Sequence, residues 1–279
     1  MKIFKPSELH AFLKAHGTRA KKSLSQNFLI DGNILRKIVQ VAKIVPGDLV
    51  IEIGPGPGAL TEALLEAGAQ VIAIEMDPIF SEALQRLKQP GYSLEIVQGD
   101  ALAIDLAALA KGKKAKIVAN LPYHITTPLL TRALPLFNSF SSLTLMVQKE
   151  FAVRMIGKPS TPNYSSFTIF TQFYADAKLA FTIAPSCFYP PPKVHSAIMH
   201  CTLHPPPEGI EPEAFFQLTR TAFQQRRKFL RSTLQALFPR AEIEQKLSAM
   251  GLKHSARPEE LSLDQFLTLF RLLRDAEGK

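Results

Sequence analysis

Leu49-Val50-Ile51-Glu52-Ile53-Gly54-Pro55-Gly56-Pro57-Gly58-Ala59 is the stretch that decides the fold. Leu49–Ile53 is a short apolar run that reads as a buried strand, and Ala59–Ala67 is a helix that Gly68 ends. Three glycines at alternate positions join the two, so the chain can turn tightly and approach a ligand with no Cβ in the way. The same alternation continues outward. Gln70–Ile74 reads as a strand and Pro78–Leu87 as a helix with proline in its first turn; Leu94–Val97, Ala115–Ala119 and Leu143–Val147 are further strands. Upstream, 31–43 reads as a helix with Asp31 as N-cap. Strands alternating with helices imply an α/β fold, a mostly parallel sheet covered on both faces.

Lys178–Ile183 and Ser196–Leu203 add two strands around a proline-rich Pro185–Pro192 segment. His204-Pro205-Pro206-Pro207-Glu208-Gly209 is the clearest linker, because prolines extend neither element. Beyond it, Pro212–Phe223, Arg226–Phe238, Ala241–Met250 and Leu263–Leu273 show helical spacing. The expected division is a sheet domain over 1–204, with a basic N-terminal segment, and a small helical domain over 205–279.

The 279 residues suffice for a sizeable core. No apolar run approaches the ~20 residues of a membrane helix, and Met1–Gly17 has no secretory pattern. Cys187 and Cys201 give neither metal spacing nor a disulfide framework, which fits a reducing cytoplasm. The net charge of +9 is unevenly placed. Residues 1–50 hold nine Lys/Arg against three Asp/Glu; residues 51–204 hold twelve against eleven. In the tail, Arg220, Arg226, Arg227, Lys228 and Arg231 form a block with no acid between Glu213 and Glu242. A near-neutral middle between basic flanks suits a small-ligand pocket framed by surfaces for a polyanion.

The glycine loop by itself admits two cofactor classes. Gly54, Gly56 and Ala59 satisfy the dinucleotide fingerprint, with Glu75 at about the right distance to accept ribose hydroxyls. That is a dehydrogenase reading. S-adenosylmethionine is the other, with Asp100 at the end of the third strand placed to accept from an adenine amine. Two features favour the methyl donor: the three-glycine turn led by the acid Glu52, and Asn120-Leu121-Pro122-Tyr123 at the end of the fourth strand. An amide, a carbonyl ahead of a proline, and a ring in a row hold a planar base that carries an amino group.

With these motifs in order, the chain resembles the ribosomal RNA adenine dimethyltransferase family. The resemblance is carried by Lys22-Ser23-Leu24-Ser25-Gln26-Asn27-Phe28-Leu29, the glycine loop, Glu75, Gly99-Asp100, Asn120–Tyr123, Phe188-Tyr189-Pro190-Pro191-Pro192-Lys193-Val194 and Arg226-Arg227-Lys228. It runs from about Lys21 to beyond Arg231 and is nearest the bacterial small-subunit (16S) branch. The macrolide-resistance branch, which acts on large-subunit rRNA, shares the catalytic motifs. Ser25 stands where the family usually has Gly, and His195 where Asp usually follows Lys-Val.

The resemblance implies a Rossmann-like class I S-adenosylmethionine-dependent methyltransferase domain with a C-terminal α-helical, RNA-binding domain. It implies cofactor contacts from Asn27, Leu29, Gly54, Glu75, Asp100 and Asn120. Asn120 and the Leu121 carbonyl would accept the two amine hydrogens, Pro122 would fix that carbonyl, and Tyr123 would stack on the base with Phe188 at its edge or opposite face. Lys21, Lys22, Arg226, Arg227, Lys228 and Arg231 are the expected phosphate contacts. The expected partner is 16S rRNA in the small subunit or its precursor. A cytoplasmic monomer is expected, with no metal and no membrane. A factor acting mainly by RNA binding is the competing non-catalytic reading.

Overall fold

The structure is a computed structural model describing residues 2–20, 26–225 and 227–274. It divides into two compact units, Met1–Ala152 with Asp176–His204, and Val153–Ala175 with Pro205–Lys279. Two strands, β1 (Phe28–Leu29) and β8 (Phe188–Tyr189), form a small antiparallel sheet of their own. The main sheet holds β2 (Leu49–Ile53), β3 (Gln70–Glu75), β4 (Ser93–Gln98), β5 (Ala115–Asn120), β6 (Phe140–Gln148), β7 (Ala175–Ile183) and β9 (Ser196–Leu203).

The order across the main sheet is β4-β3-β2-β5-β6-β9-β7. Strands β4, β3, β2, β5 and β6 run parallel, and β9 pairs antiparallel with β6. Every residue of β2 is buried, as a central strand covered on both faces requires. β2 lies between β3 and β5, so the strand order reverses beside it. That reversal opens a crevice outside the carboxyl ends of the strands.

The sheet unit carries α1 (Pro6–Ala15), α2 (Gly32–Val41), α3 (Ala59–Glu66), α4 (Pro78–Ala83), α5 (Leu106–Leu109) and α6 (Thr126–Ala133). Asp31 caps α2, accepting from the amides of Asn33 and Ile34 at 2.8 and 3.3 Å. α1 packs Leu9, Phe12 and Leu13 into one cluster with Phe28 and Phe80. After α7 (Lys149–Met155) come α8 (Ser166–Tyr174), α9 (Pro212–Phe223), α10 (Leu230–Thr233), α11 (Arg240–Ala249) and α12 (Leu263–Arg274). Among the described residues, no helix is long and apolar enough to cross a membrane.

Two expectations are corrected. Residues 153–175 do not belong with the sheet domain but with the helical unit. The cause is aromatic: Phe173 of α8 stacks on Phe215 at 5.1 Å and meets Phe216 edge-on at 4.9 Å. Tyr164 is fully buried there and donates to the Leu261 carbonyl at 2.7 Å. The second correction is the helix expected over Arg226–Phe238. Only Leu230–Thr233 is α-helical, followed by a 3-10 turn over Leu234–Ala236. Phe229 is extended (φ −71°, ψ 149°), and the Leu230 amide donates to the Ala256 carbonyl at 2.9 Å. A tertiary bond thus overrides helical spacing at that end.

Gly58 shows how tightly the glycine loop is held. Its φ is +90°, and a Cβ there would stand 2.7 Å from Leu84 Cδ2 and 3.1 Å from Leu87 Cδ1. Gly47 has nearly the same φ, +89°, with nothing within 4 Å. Gly47→Ala therefore pays backbone strain alone, about 1–2 kcal/mol. Gly58→Ala adds a clash with buried leucines, and overpacking of that kind costs about 1–3 kcal/mol more. Thermal unfolding of the two variants should show Gly58→Ala melting clearly lower; equal melting points would contradict the packing described here.

Candidate active site

The crevice beside β2 is a cavity of about 360 Å³. It is walled by the loop after β2, the ends of β3 and β5, the turn after β4, and residues 26–29. Asn27, Leu29, Gly54, Glu75, Asp100, Asn120, Leu121, Pro122 and Tyr123 all line it. Nine residues expected from five separate stretches of sequence thus converge on one space.

Glu75 ends β3 and is 6% exposed. Its Oε2 accepts from the Gly56 amide and its Oε1 from the Asp77 amide, both at 2.8 Å. One carboxylate therefore ties the glycine loop to the start of α4. Burial raises its pKa, opposed by those backbone donors. Asp100 accepts from the Leu102 amide at 2.8 Å, which shapes the turn after β4. Arg132 of α6 clamps that turn, donating to the carbonyls of Ala101 and Ile104 at 3.2 and 2.9 Å and to Leu102.

Asn120 ends β5. Its Nδ2 donates to the Asn27 carbonyl at 3.1 Å. The donor end of the amide is thus engaged, which leaves Oδ1 as the acceptor end. The Leu121 amide donates to the Met146 carbonyl at 3.3 Å, and Pro122 accepts from Ile125 at 3.1 Å to close a 3-10 turn over Tyr123–Ile125. The Tyr123 hydroxyl pairs with Ser196 Oγ at 3.0 Å.

Phe188 is not a cavity wall. It is 3% exposed, belongs to the core with Leu29, and pairs with Leu29 across the small β1–β8 sheet. That sheet, with the Ile30 amide donating to Cys187 at 2.8 Å, holds residues 26–29 in place. Among the described residues, the aromatic rings that do line the cavity, besides His124, are Tyr123 and Phe28. Phe28 lies 5.4 Å from Phe80 edge-on, and a Cβ on Gly56 would stand 3.2 Å from its ring. Met76, His124 and Ile125 line the cavity beside the expected residues, and Arg132 supports it. Phe28 was legible inside the Asn27–Leu29 run; Arg132 carried no local signal.

Of the expected phosphate contacts, Arg227 and Lys228 are exposed. Arg231 is committed elsewhere: its Nη1 pairs with Glu244 Oε1 at 2.9 Å, a carboxylate that also takes Arg240. Lys21, Lys22 and Arg226, with the Ser25 departure, lie outside the described residues. His195 is exposed, and its carbonyl accepts from the Lys149 amide at 2.9 Å.

The donor set fits S-adenosylmethionine. The acidic residues lining the cavity, among the described residues, are Glu52, Glu75 and Asp100, and no Lys or Arg lines it. A cation belongs in such a space. Glu52 is the sharpest sign of this. It is 1% exposed, and its Oε2 has no hydrogen-bond partner. Burial pushes its carboxyl up to about 8; the Thr61 side chain lowers it in part and Glu75 raises it. The Thr61 contact is weak, since Thr61 Oγ1 also lacks a partner of normal geometry.

Glu52 ordinarily titrates near 4.5 and here near 8, so the folded protein holds a proton that the unfolded chain releases. That contribution is complete below pH ~4.5 and is lost as pH rises through ~8. Glu52→Gln cannot ionise. Its melting temperature without ligand should gain on the parent between pH 6 and pH 9. A constant difference across that range would show that Glu52 does not titrate there.

Known proteins bear on this site. The model of the family described as ribosomal RNA adenine dimethylase matches residues 17–275. The ribosomal RNA small subunit methyltransferase A of Protochlamydia amoebophila is 49% identical over 282 residues, covering 99% of each chain. That of Chlamydia muridarum is 50% identical over 274 residues, covering 96% of this chain and 97% of the other. Among solved structures, a dimethyladenosine transferase from Plasmodium falciparum is similar with a TM-score of 0.78 and 30% identity, over 90% of this chain and 98% of that one. The 23S rRNA methyltransferase ErmE follows at 0.69 and 27%, over 89% of this chain and all of the other. With its cavity at the β2 switch point, its class I methyltransferase sheet and this similarity over nearly its whole length, the chain belongs to the ribosomal RNA adenine dimethylase family.

Proposed function

We infer that the chain dimethylates the N6 amines of two adjacent adenosines near the 3′ end of 16S rRNA, using S-adenosylmethionine, during small-subunit biogenesis in the cytoplasm. The observation that carries this reading is the meeting of Asn120–Tyr123 with Gly54, Glu75 and Asp100 in one cavity. The relatives that match nearly the whole chain bear the small-subunit name, which favours that branch over the large-subunit one.

S-adenosylmethionine supplies an electrophilic sulfonium methyl. Glu75 would hold its ribose and Asp100 its adenine, and the glycine loop would let the backbone approach closely. The target adenine amine is a poor nucleophile because its lone pair is delocalised into the ring. Asn120 Oδ1 and the Leu121 carbonyl accept its two hydrogens and favour a tetrahedral nitrogen with an available lone pair. The engagement of Asn120 Nδ2 by Asn27 supports this, since the amide is held with its acceptor end for the substrate. Tyr123 stacks on the base, and base–aromatic stacking of this kind is worth roughly 1–3 kcal/mol. As the nitrogen takes the methyl group and the methyl–sulfur bond breaks to leave a neutral thioether, positive charge develops on the nitrogen beside these fixed acceptors. The nitrogen then releases a proton to water.

The base reaches this cavity only when unpaired or flipped out. Arg227 and Lys228, exposed on the helical unit, are proposed phosphate contacts that give position rather than sequence reading.

Asn120→Ala should lower single-turnover methyl transfer to undermethylated small subunits by about 10²–10³-fold. Binding to the subunit should change little; equal losses in both would remove Asn120 from the chemistry. Mapping dimethyladenosine in rRNA from cells with and without the protein identifies the target. Replacing Arg227 and Lys228 with Ala should weaken subunit binding and reduce its log–log salt slope by about one for each. An unchanged slope would place the RNA elsewhere.

A further inference from the structure

The segment that leads from Phe188 to β9 marks the family in sequence, yet none of its residues lines the cavity. Its end nevertheless reaches the site. Ser196 is the first residue of β9, is fully buried, and pairs with Gln148 of β6. Its Oγ lies 3.0 Å from the Tyr123 hydroxyl, a partner 73 residues away in sequence. Among the described residues this is the one partner of the Ser196 side-chain hydroxyl.

We propose that Ser196 is a positioning residue for the methyl transfer, fixing the plane of the Tyr123 ring through its hydroxyl. The inference rests on the reading of Tyr123 as the stacking face. The geometry explains why such a fixture is needed. Tyr123 sits in a one-turn 3-10 helix after Pro122 and is only half-buried. With Phe188 withdrawn into the core, no second ring from that segment faces it to limit its tilt. A ring held only at its Cβ can rotate about two torsions. A hydroxyl tied to a strand of the main sheet removes that freedom and sets the ring relative to β5 and β6, which also carry Asn120 and the Met146 carbonyl that receives the Leu121 amide. The acceptors and the stacking face are then referenced to the same rigid frame, as near-attack geometry demands.

A double-mutant cycle tests this. The readout is single-turnover methyl transfer to undermethylated small subunits at saturating S-adenosylmethionine, with donor affinity measured by calorimetry. A neutral hydrogen bond of this kind corresponds to about a two- to tenfold change. Ser196→Ala and Tyr123→Phe should each slow transfer by that factor, and the double variant should be no slower than either single. Donor affinity should be unchanged in all three. The proposal is overturned if Ser196→Ala leaves the rate unchanged, or slows the Tyr123→Phe enzyme as much as it slows the parent. Tyr123→Phe retains Ser196, so a folding defect specific to Ser196→Ala would slow Ser196→Ala and the double variant while leaving Tyr123→Phe at the parent rate, and would also overturn it. Failure of the stacking reading is separate: Tyr123→Ala would then be no slower than Tyr123→Phe.

Discussion

The site depends on one buried carboxylate that accepts two backbone donors. Glu75 receives the Gly56 amide on one side and the Asp77 amide on the other. Without it, a loop of three glycines at positive φ would have little reason to keep one shape, because glycine loses the most backbone freedom on folding. Charge-assisted bonds from backbone N–H groups are among the stronger ones available. They hold the loop close against the end of β3, and the flanking prolines Pro55 and Pro57 restrict it further. The strand order then does the rest. With β3 and β5 on opposite sides of β2, the ends of all three strands face one crevice.

Three further ties bring distant stretches of sequence to that crevice. Asn120 reaches back to Asn27, Arg132 clamps the turn after Asp100, and Ser196 meets Tyr123. In each case a side chain on a regular element reaches a loop or turn. Loops positioned in this way can carry chemistry that loops alone could not hold to the required fraction of an ångström. The N-terminal segment follows the same rule by other means: β1 is stitched to β8, and Phe28 rests on Phe80 within the cluster that α1 helps to build.

The sequence was most legible where the cause of structure is local. Leu49–Ile53 and Ser196–Leu203 stand as strands at their expected bounds, because continuous apolar runs and strict burial leave little choice. The Asp31 cap was equally legible, since its donors lie two and three residues away. The cavity residues converged because short motifs at strand ends are brought together by the parallel topology itself. What was missed depends on long-range contacts. Phe188 reads as a stacking ring by its neighbours, but its pairing with Leu29, far earlier in the chain, turns it inward. Residues 153–175 follow a sheet strand in sequence and still join the helical unit, because Phe173 finds its partners on α9. Helical spacing after Arg226 gives way where Phe229 is extended and the Leu230 amide bonds the distant Ala256 carbonyl. Arg132 offered nothing to read, since three carbonyls are not visible as a motif.

The acids of the cavity and the phosphates of its polymer substrate carry the same sign of charge, and this constrains how the two meet. The lining offers carboxyl groups from Glu52, Glu75 and Asp100, and the acceptor end of Asn120, with no Lys or Arg among the described residues. Such a space suits a sulfonium, an ammonium and an amine that brings only hydrogens. It repels phosphate. An RNA backbone entering this crevice would meet that repulsion, whereas a base entering by itself would not. The charge distribution of the chain has this form: twelve Lys/Arg against eleven Asp/Glu across residues 51–204, and a basic block around Arg227 and Lys228 beyond them. Base extrusion is thus favoured by the electrostatics of the protein as well as by the reach of its acceptors.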